Sequence, residues 1–141
     1  MQYRYKEDDR DLFDQFFRDG YLILPDFVTS DDCDCLMMRM DELVDAFVRT
    51  DQVTSVFSTL THDHMKDKYF LESADNIYYF FEKDAFGEGG LLYPIQDSLN
   101  KVSHALHDKD LVFNDFCYQP RIKVLMQDLG YSDPIIRQSM Y

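Results

Sequence analysis

Apolar residues recur along this chain with helical spacing in some stretches and cluster tightly in others. Leu12, Phe13, Phe16 and Phe17 fall three to four apart, and Gly20 stands where a helix end needs a residue free to take positive φ. The run Tyr-Leu-Ile-Leu at 21–24 reads as a short buried strand, ended by Pro25. Thr29, Ser30, Asp31 and Asp32 offer N-cap oxygens and negative charge to the start of the next helix. On it, Cys33, Leu36, Met37, Met40, Leu43, Val44, Phe47 and Val48 form one apolar stripe, which predicts core packing. Residues 50–68 are polar and weakly patterned, and predict a loop or irregular crossing. Residues 76–86 are β-prone at their start, and Gly-Glu-Gly-Gly at 87–90 predicts a turn. Residues 98–113 then read as a helix, with Leu99, Val102, Leu106 and Phe113 on or near one side. A last helix covers about 119–129 and closes at Gly130, and a final strand starts near Ile135.

Helices therefore dominate, and the fold class is α+β. The few short strands raise a difficulty, because a strand's backbone donors and acceptors need partners. The apolar helix faces also need a second layer to cover. The pattern supplies a covering layer and little of what it covers, so an incomplete domain spanning 1–141 with poor stability of its own is the expectation.

Composition narrows the function classes. The chain has 141 residues, 45% hydrophobic and 16% aromatic, which excludes a disordered tail. Its net charge of −13, from 27 acidic against 14 basic residues, argues against nucleic acid and against an anionic membrane surface. Three cysteines make no disulfide framework: Cys33 and Cys35 point to different helix faces, and Cys117 is remote. With no apolar run of membrane-spanning length and no signal-peptide core, the expectation is a soluble, intracellular, cytoplasmic protein.

Candidate chemistry is sparse. His62 and His64 flank Asp63, yet nothing nearby completes a metal site. His104 and His107 would be neighbours on a helix, with Asp108 and Asp110 at its end facing water. A small metal-binding protein using these four histidines is a minor alternative. Lys101, four after Asp97, reads as one half of an exposed helical ion pair. No P-loop, dinucleotide fingerprint, nucleophile elbow, zinc-protease motif or EF-hand loop is present.

Taken as words, however, FFRDGYLILPDFVTSDD (16–32), YFLESADNIYYFFEKDAF (69–86), SLNKVSHALHDKDLVF (98–113) and PIIRQSMY (134–141) are distinctive. Together they resemble the phytanoyl-CoA dioxygenase family over residues from about 10 to 141. The resemblance implies an Fe(II)- and 2-oxoglutarate-dependent dioxygenase built on a double-stranded β-helix, of jelly-roll or cupin type. It implies the N-terminal helical layer and first strands of that barrel, with most barrel strands absent. A small-molecule substrate would be oxidised while 2-oxoglutarate becomes succinate and CO2.

By the same resemblance, Lys101 and Met140 match residues that contact 2-oxoglutarate, and Tyr78 stands where close relatives tend to carry a basic residue. The family's iron is held by H-x-D and a distant His. Here His64, Lys66, Leu106 and Lys109 stand two after the four histidines, so the motif is absent. The resemblance places it beyond residue 141, so this chain alone is expected to hold no metal and to be inactive. The alternative is a non-catalytic binding or regulatory protein that pairs its strand at 134–141 with a partner.

Overall fold

The computed structural model describes residues 10–50, residue 56 and residues 68–141, without the side chains of 10–12 and 48–50. His62, His64 and most of the predicted 50–68 loop lie outside the described residues, as do the side chains of Leu12 and Val48.

Helix α1 (Arg10–Asp19) ends as its sequence predicts. Gly20 takes φ +81°, and its N–H donates to the Phe16 carbonyl at 2.8 Å. The strand expected at 21–24 does not form: Tyr21 and Ile23 are 57% and 71% exposed, and the segment has no strand partner among the described residues. Its apolar content therefore does not specify pairing, because no described strand reaches it.

Helix α2 (Ser30–Thr50) opens with a reciprocal cap. Asp32 N–H donates to Thr29 Oγ1, and Thr29 N–H donates back to Asp32 Oδ2, both at 3.1 Å. Its buried face runs through Met40, Val44 and Phe47, with Leu36 and Leu43 packed at the margin. Cys33 and Met37, expected on this stripe, are exposed.

After helix α3 (Lys68–Glu72) come β1 (Ile77–Phe81), a two-stranded ribbon of β2 (Phe86–Gly87) and β3 (Gly90–Leu91), and then β4 (Leu99–His104). The last is the main departure from the pattern, which predicts a helix over 98–113. Leu99 and Val102 mimic helical spacing, but they pack from a strand paired antiparallel with β1, Tyr79 opposite Val102 and Phe80 opposite Lys101. Leu106 and Phe113 belong to two separate helices, α4 (Leu106–Lys109) and α5 (Leu111–Cys117). The aromatic β1 strand requires a ladder partner, and that tertiary demand overrides local periodicity.

Helix α6 (Pro120–Asp128) closes at Gly130, φ +88°, where Tyr131 N–H donates to the Met126 carbonyl at 2.9 Å. Strand β5 (Ser139–Met140) follows, four residues later than expected. It lies on the far side of β4, giving the order β1-β4-β5. Tyr141 and Val102 exchange both backbone hydrogen bonds, at 2.9 and 3.0 Å. The terminal segment thus has a partner inside the chain along one edge.

The result is a mixed helix and sheet arrangement, α+β, with antiparallel sheets. One core joins α2 to the sheet and the short helices: Met40, Val44, Phe47, Tyr79, Phe81, Ala85, Val102, Leu106 and Phe113. Phe47 stacks on Tyr79 with ring centroids 4.1 Å apart, and the Tyr79 hydroxyl donates to the Leu43 carbonyl at 3.0 Å. Among the described residues no helix is long and apolar enough to cross a membrane.

Candidate functional site

Two faces of the sheet do different work. Tyr79 and Val102 point toward α2, so the alternation of strand side chains sends Phe80 and Lys101 to the opposite face. There α3 lays Phe70 against Phe80 and His104, with centroids 5.9 and 5.5 Å apart and edges meeting faces. The Lys101 ammonium sits over this cluster, 5.4 Å from the Phe70 ring centre and 5.0 Å from that of Phe80. Its Nζ lies 3.4 Å from His104 Nε2. Burial holds the Lys101 pKa below its ordinary value. The predicted helical pairing of Lys101 with Asp97 is thereby replaced, since Lys101 is a strand residue facing aromatic rings.

His104 is 4% exposed, and the Ser73 beneath it is fully buried. Ser73 Oγ is 2.6 Å from the Phe70 carbonyl and 2.7 Å from His104 Nδ1. Burial, and then the charge of Lys101, hold the His104 pKa below its ordinary value, so the ring is neutral.

Met140 meets the same face from β5. It pairs with Ser103, which lies two residues from Lys101, so all three share one side of the sheet. Met140 is 58% exposed, whereas Ser103 is fully buried and its hydroxyl has no hydrogen-bond partner among the described residues. Tyr78 completes the row across β1 and packs on Tyr69 at 4.3 Å.

The two histidines expected side by side on one helix are separated. His104 ends β4, while His107 lies in α4 and fastens the last strand. The His107 backbone N–H donates to Ser139 Oγ at 2.9 Å, and that oxygen is 2.7 Å from His107 Nδ1. Asp110, predicted to face water, is 4% exposed and caps α5, accepting from the N–H groups of Val112 and Phe113. Its other oxygen accepts from Arg39 Nε of α2 at 2.8 Å. Among the described residues no group of three or more His, Cys, Asp or Glu could hold a metal ion.

A family model described as phytanoyl-CoA dioxygenase matches residues 16–141. The chain belongs to the phytanoyl-CoA dioxygenase family. It is 45% identical over 132 residues to a phytanoyl-CoA dioxygenase of Arabidopsis thaliana, covering 93% of this chain and 46% of that protein. It is 42% identical over 127 residues to phytanoyl-CoA dioxygenase 1 of Oryza sativa subsp. japonica, covering 89% and 44%. To phytanoyl-CoA dioxygenase domain-containing protein 1 of Mus musculus it is 38% identical over 132 residues, covering 90% and 45%. The chain spans about half the length of the curated relatives it matches.

For this member of the family, the sequence pointed to Lys101 and Met140 and missed the groups around the lysine. Phe70, Ser73, Phe80 and His104 come from α3, the turn after it, β1 and β4. One signal was available: Phe80 alternates with Tyr78 in an aromatic strand, and such a strand needs a neighbour like 99–104.

Proposed function

We propose that this chain carries one side of the 2-oxoglutarate pocket of an Fe(II)-dependent dioxygenase domain, in which the sheet β1-β4-β5 opens a double-stranded β-helix. The observation that carries the reading is the Lys101 ammonium, partly desolvated on a sheet face against Phe70, Phe80 and a neutral His104. A cation in such surroundings gains more from a carboxylate than one in open water does. Lys101 would bind a carboxylate of 2-oxoglutarate, and the apolar thioether of Met140 would lie against the ligand's carbon chain. Iron does not fit the described residues, since they hold no ligand group for it, and its ligands would be supplied by sequence outside this chain. The substrate would be a small molecule bound elsewhere in the domain.

Magnitudes favour a shared pocket over a self-sufficient one. Micromolar affinity corresponds to about 8 kcal/mol, whereas one half-exposed lysine–carboxylate pair supplies about 1 kcal/mol. Isothermal titration of 2-oxoglutarate into the 141-residue chain is therefore expected to give no saturable micromolar binding. In the intact protein as its source makes it, 2-oxoglutarate consumption is expected, with KM raised at least tenfold by Lys101→Ala. An unchanged KM, or micromolar binding by the 141-residue chain alone, would overturn the reading.

A further inference from the structure

We propose that His104 is a positioning residue for Lys101: its Nε2 lone pair accepts a hydrogen bond from the ammonium and aims it along the β4 face, with Ser73 and the Phe70 carbonyl fixing the tautomer that makes this possible. The inference deepens the co-substrate reading above and rests on it.

The proton count follows from two distances. Ser73 Oγ lies 2.6 Å from the Phe70 carbonyl oxygen, which can only accept, so the single hydroxyl hydrogen is committed there. The same Oγ lies 2.7 Å from His104 Nδ1 and must act as acceptor in that contact. Nδ1 therefore carries the ring hydrogen, and in a neutral imidazole Nε2 is left with its lone pair. That lone pair is 3.4 Å from Lys101 Nζ, which offers three donors and no acceptor.

Four rotatable bonds give the lysine side chain many orientations, and stopping them when a ligand binds costs entropy. The rings of Phe70 and Phe80 attract the charge without fixing a direction, whereas a hydrogen bond to Nε2 gives one N–H a defined direction. Because Ser73 is fully buried and His104 is 4% exposed, water does not compete for the contact between them.

Two substitutions separate the halves of the imidazole. His104→Asn keeps a donor where Nδ1 stands and removes the acceptor. His104→Gln places a carbonyl oxygen where Nε2 stands and keeps it. In the intact protein, His104→Asn is expected to raise the KM for 2-oxoglutarate about tenfold, the scale of one charge-assisted hydrogen bond, with kcat within about twofold. His104→Gln is expected to restore most of the loss. An unchanged KM in His104→Asn, or equal impairment in His104→Gln, would overturn the role of His104. Lys101→Ala distinguishes the two levels. If it leaves KM unchanged, the co-substrate reading itself has failed; if it raises KM while His104→Asn does not, the failure belongs to His104 alone. A readout independent of activity and of any variant is the nitrogen NMR spectrum of the histidine-labelled intact protein. Hydrogen on Nδ1 with a bare Nε2 is expected for His104, and hydrogen on Nε2 would overturn the proposal.

Discussion

Asp110 carries two loads with its two oxygens. Oδ1 accepts from the Val112 N–H at 3.0 Å and the Phe113 N–H at 3.3 Å, and Oδ2 accepts from Arg39 Nε at 2.8 Å. One carboxylate thus starts α5 and ties it to α2, and both jobs depend on its being buried beside a cation. The sequence pattern puts it at the end of a single long helix, where an acid opposes the helix dipole. With the helix broken between Lys109 and Leu111, the same residue sits at the favourable end. Asp110→Ala is expected to cost about 2–3 kcal/mol, from a lost cap and a half-buried Arg39 left without this partner. Asp110→Asn, which keeps a capping oxygen, should cost about 1 kcal/mol less. Urea unfolding of the three proteins measures this, and a cost under about 0.5 kcal/mol for the alanine variant would remove Asp110 from the fold's supports.

The sheet shows how an element's edge is managed. Val102 exchanges both of its backbone hydrogen bonds with Tyr141, so the N–H and C=O of Tyr79, its partner on β1, face outward. The Tyr69 hydroxyl meets both: it accepts from Tyr79 N–H at 3.2 Å and donates to Tyr79 C=O at 3.3 Å, as a neighbouring strand would. Val56 forms a further bridge to Phe81 along the same edge. The cover serves against edge-to-edge association. Tyr69→Phe keeps the ring contacts with Tyr78 and Phe80 and deletes both hydrogen bonds. It is expected to lower stability by about 1–2 kcal/mol and to speed concentration-dependent aggregation. Chemical denaturation with light scattering tests it, and wild-type behaviour in both would show that the edge needs no such cover. Helix α2 is likewise tied at its start, where Asp32 accepts from Arg121 and from Gln119 at the head of α6. The bond from Arg121, with those from Thr29, holds the Asp32 carboxyl well below the usual carboxylate range.

For the molecule as a whole, pH is the lever the buried site predicts. The groups recorded against the His104 ring are Ser73, Phe70 and Phe80 from the packed elements and Lys101 from its own strand, and of these Lys101 carries the charge. With its folded pKa below the ordinary value of 6.5, His104 takes up its proton less readily in the folded state than in the unfolded chain. Stability therefore rises with pH across that interval and falls as pH drops below about 6.5. Asp32 adds a second loss on the acid side, below its ordinary value of 3.8. The denaturant midpoint is expected to drop between about pH 7.5 and 5.5, and His104→Asn should flatten that drop. A midpoint independent of pH over this range would contradict the neutral, buried ring. The sequence by itself determined the family, the end of α1, the start of α2 and the end of α6, because caps, positive-φ glycines and family words are local chemistry. It determined most of the α2 core face too, since a helix's periodicity is written within one element. The tertiary structure decided that 99–104 is a strand, that Asp110 is buried and that Lys101 faces Phe70, Phe80 and His104. Each of those depends on pairing with β1 or packing against α2 and α3, and contacts between distant segments leave no period in the sequence for a reader to count.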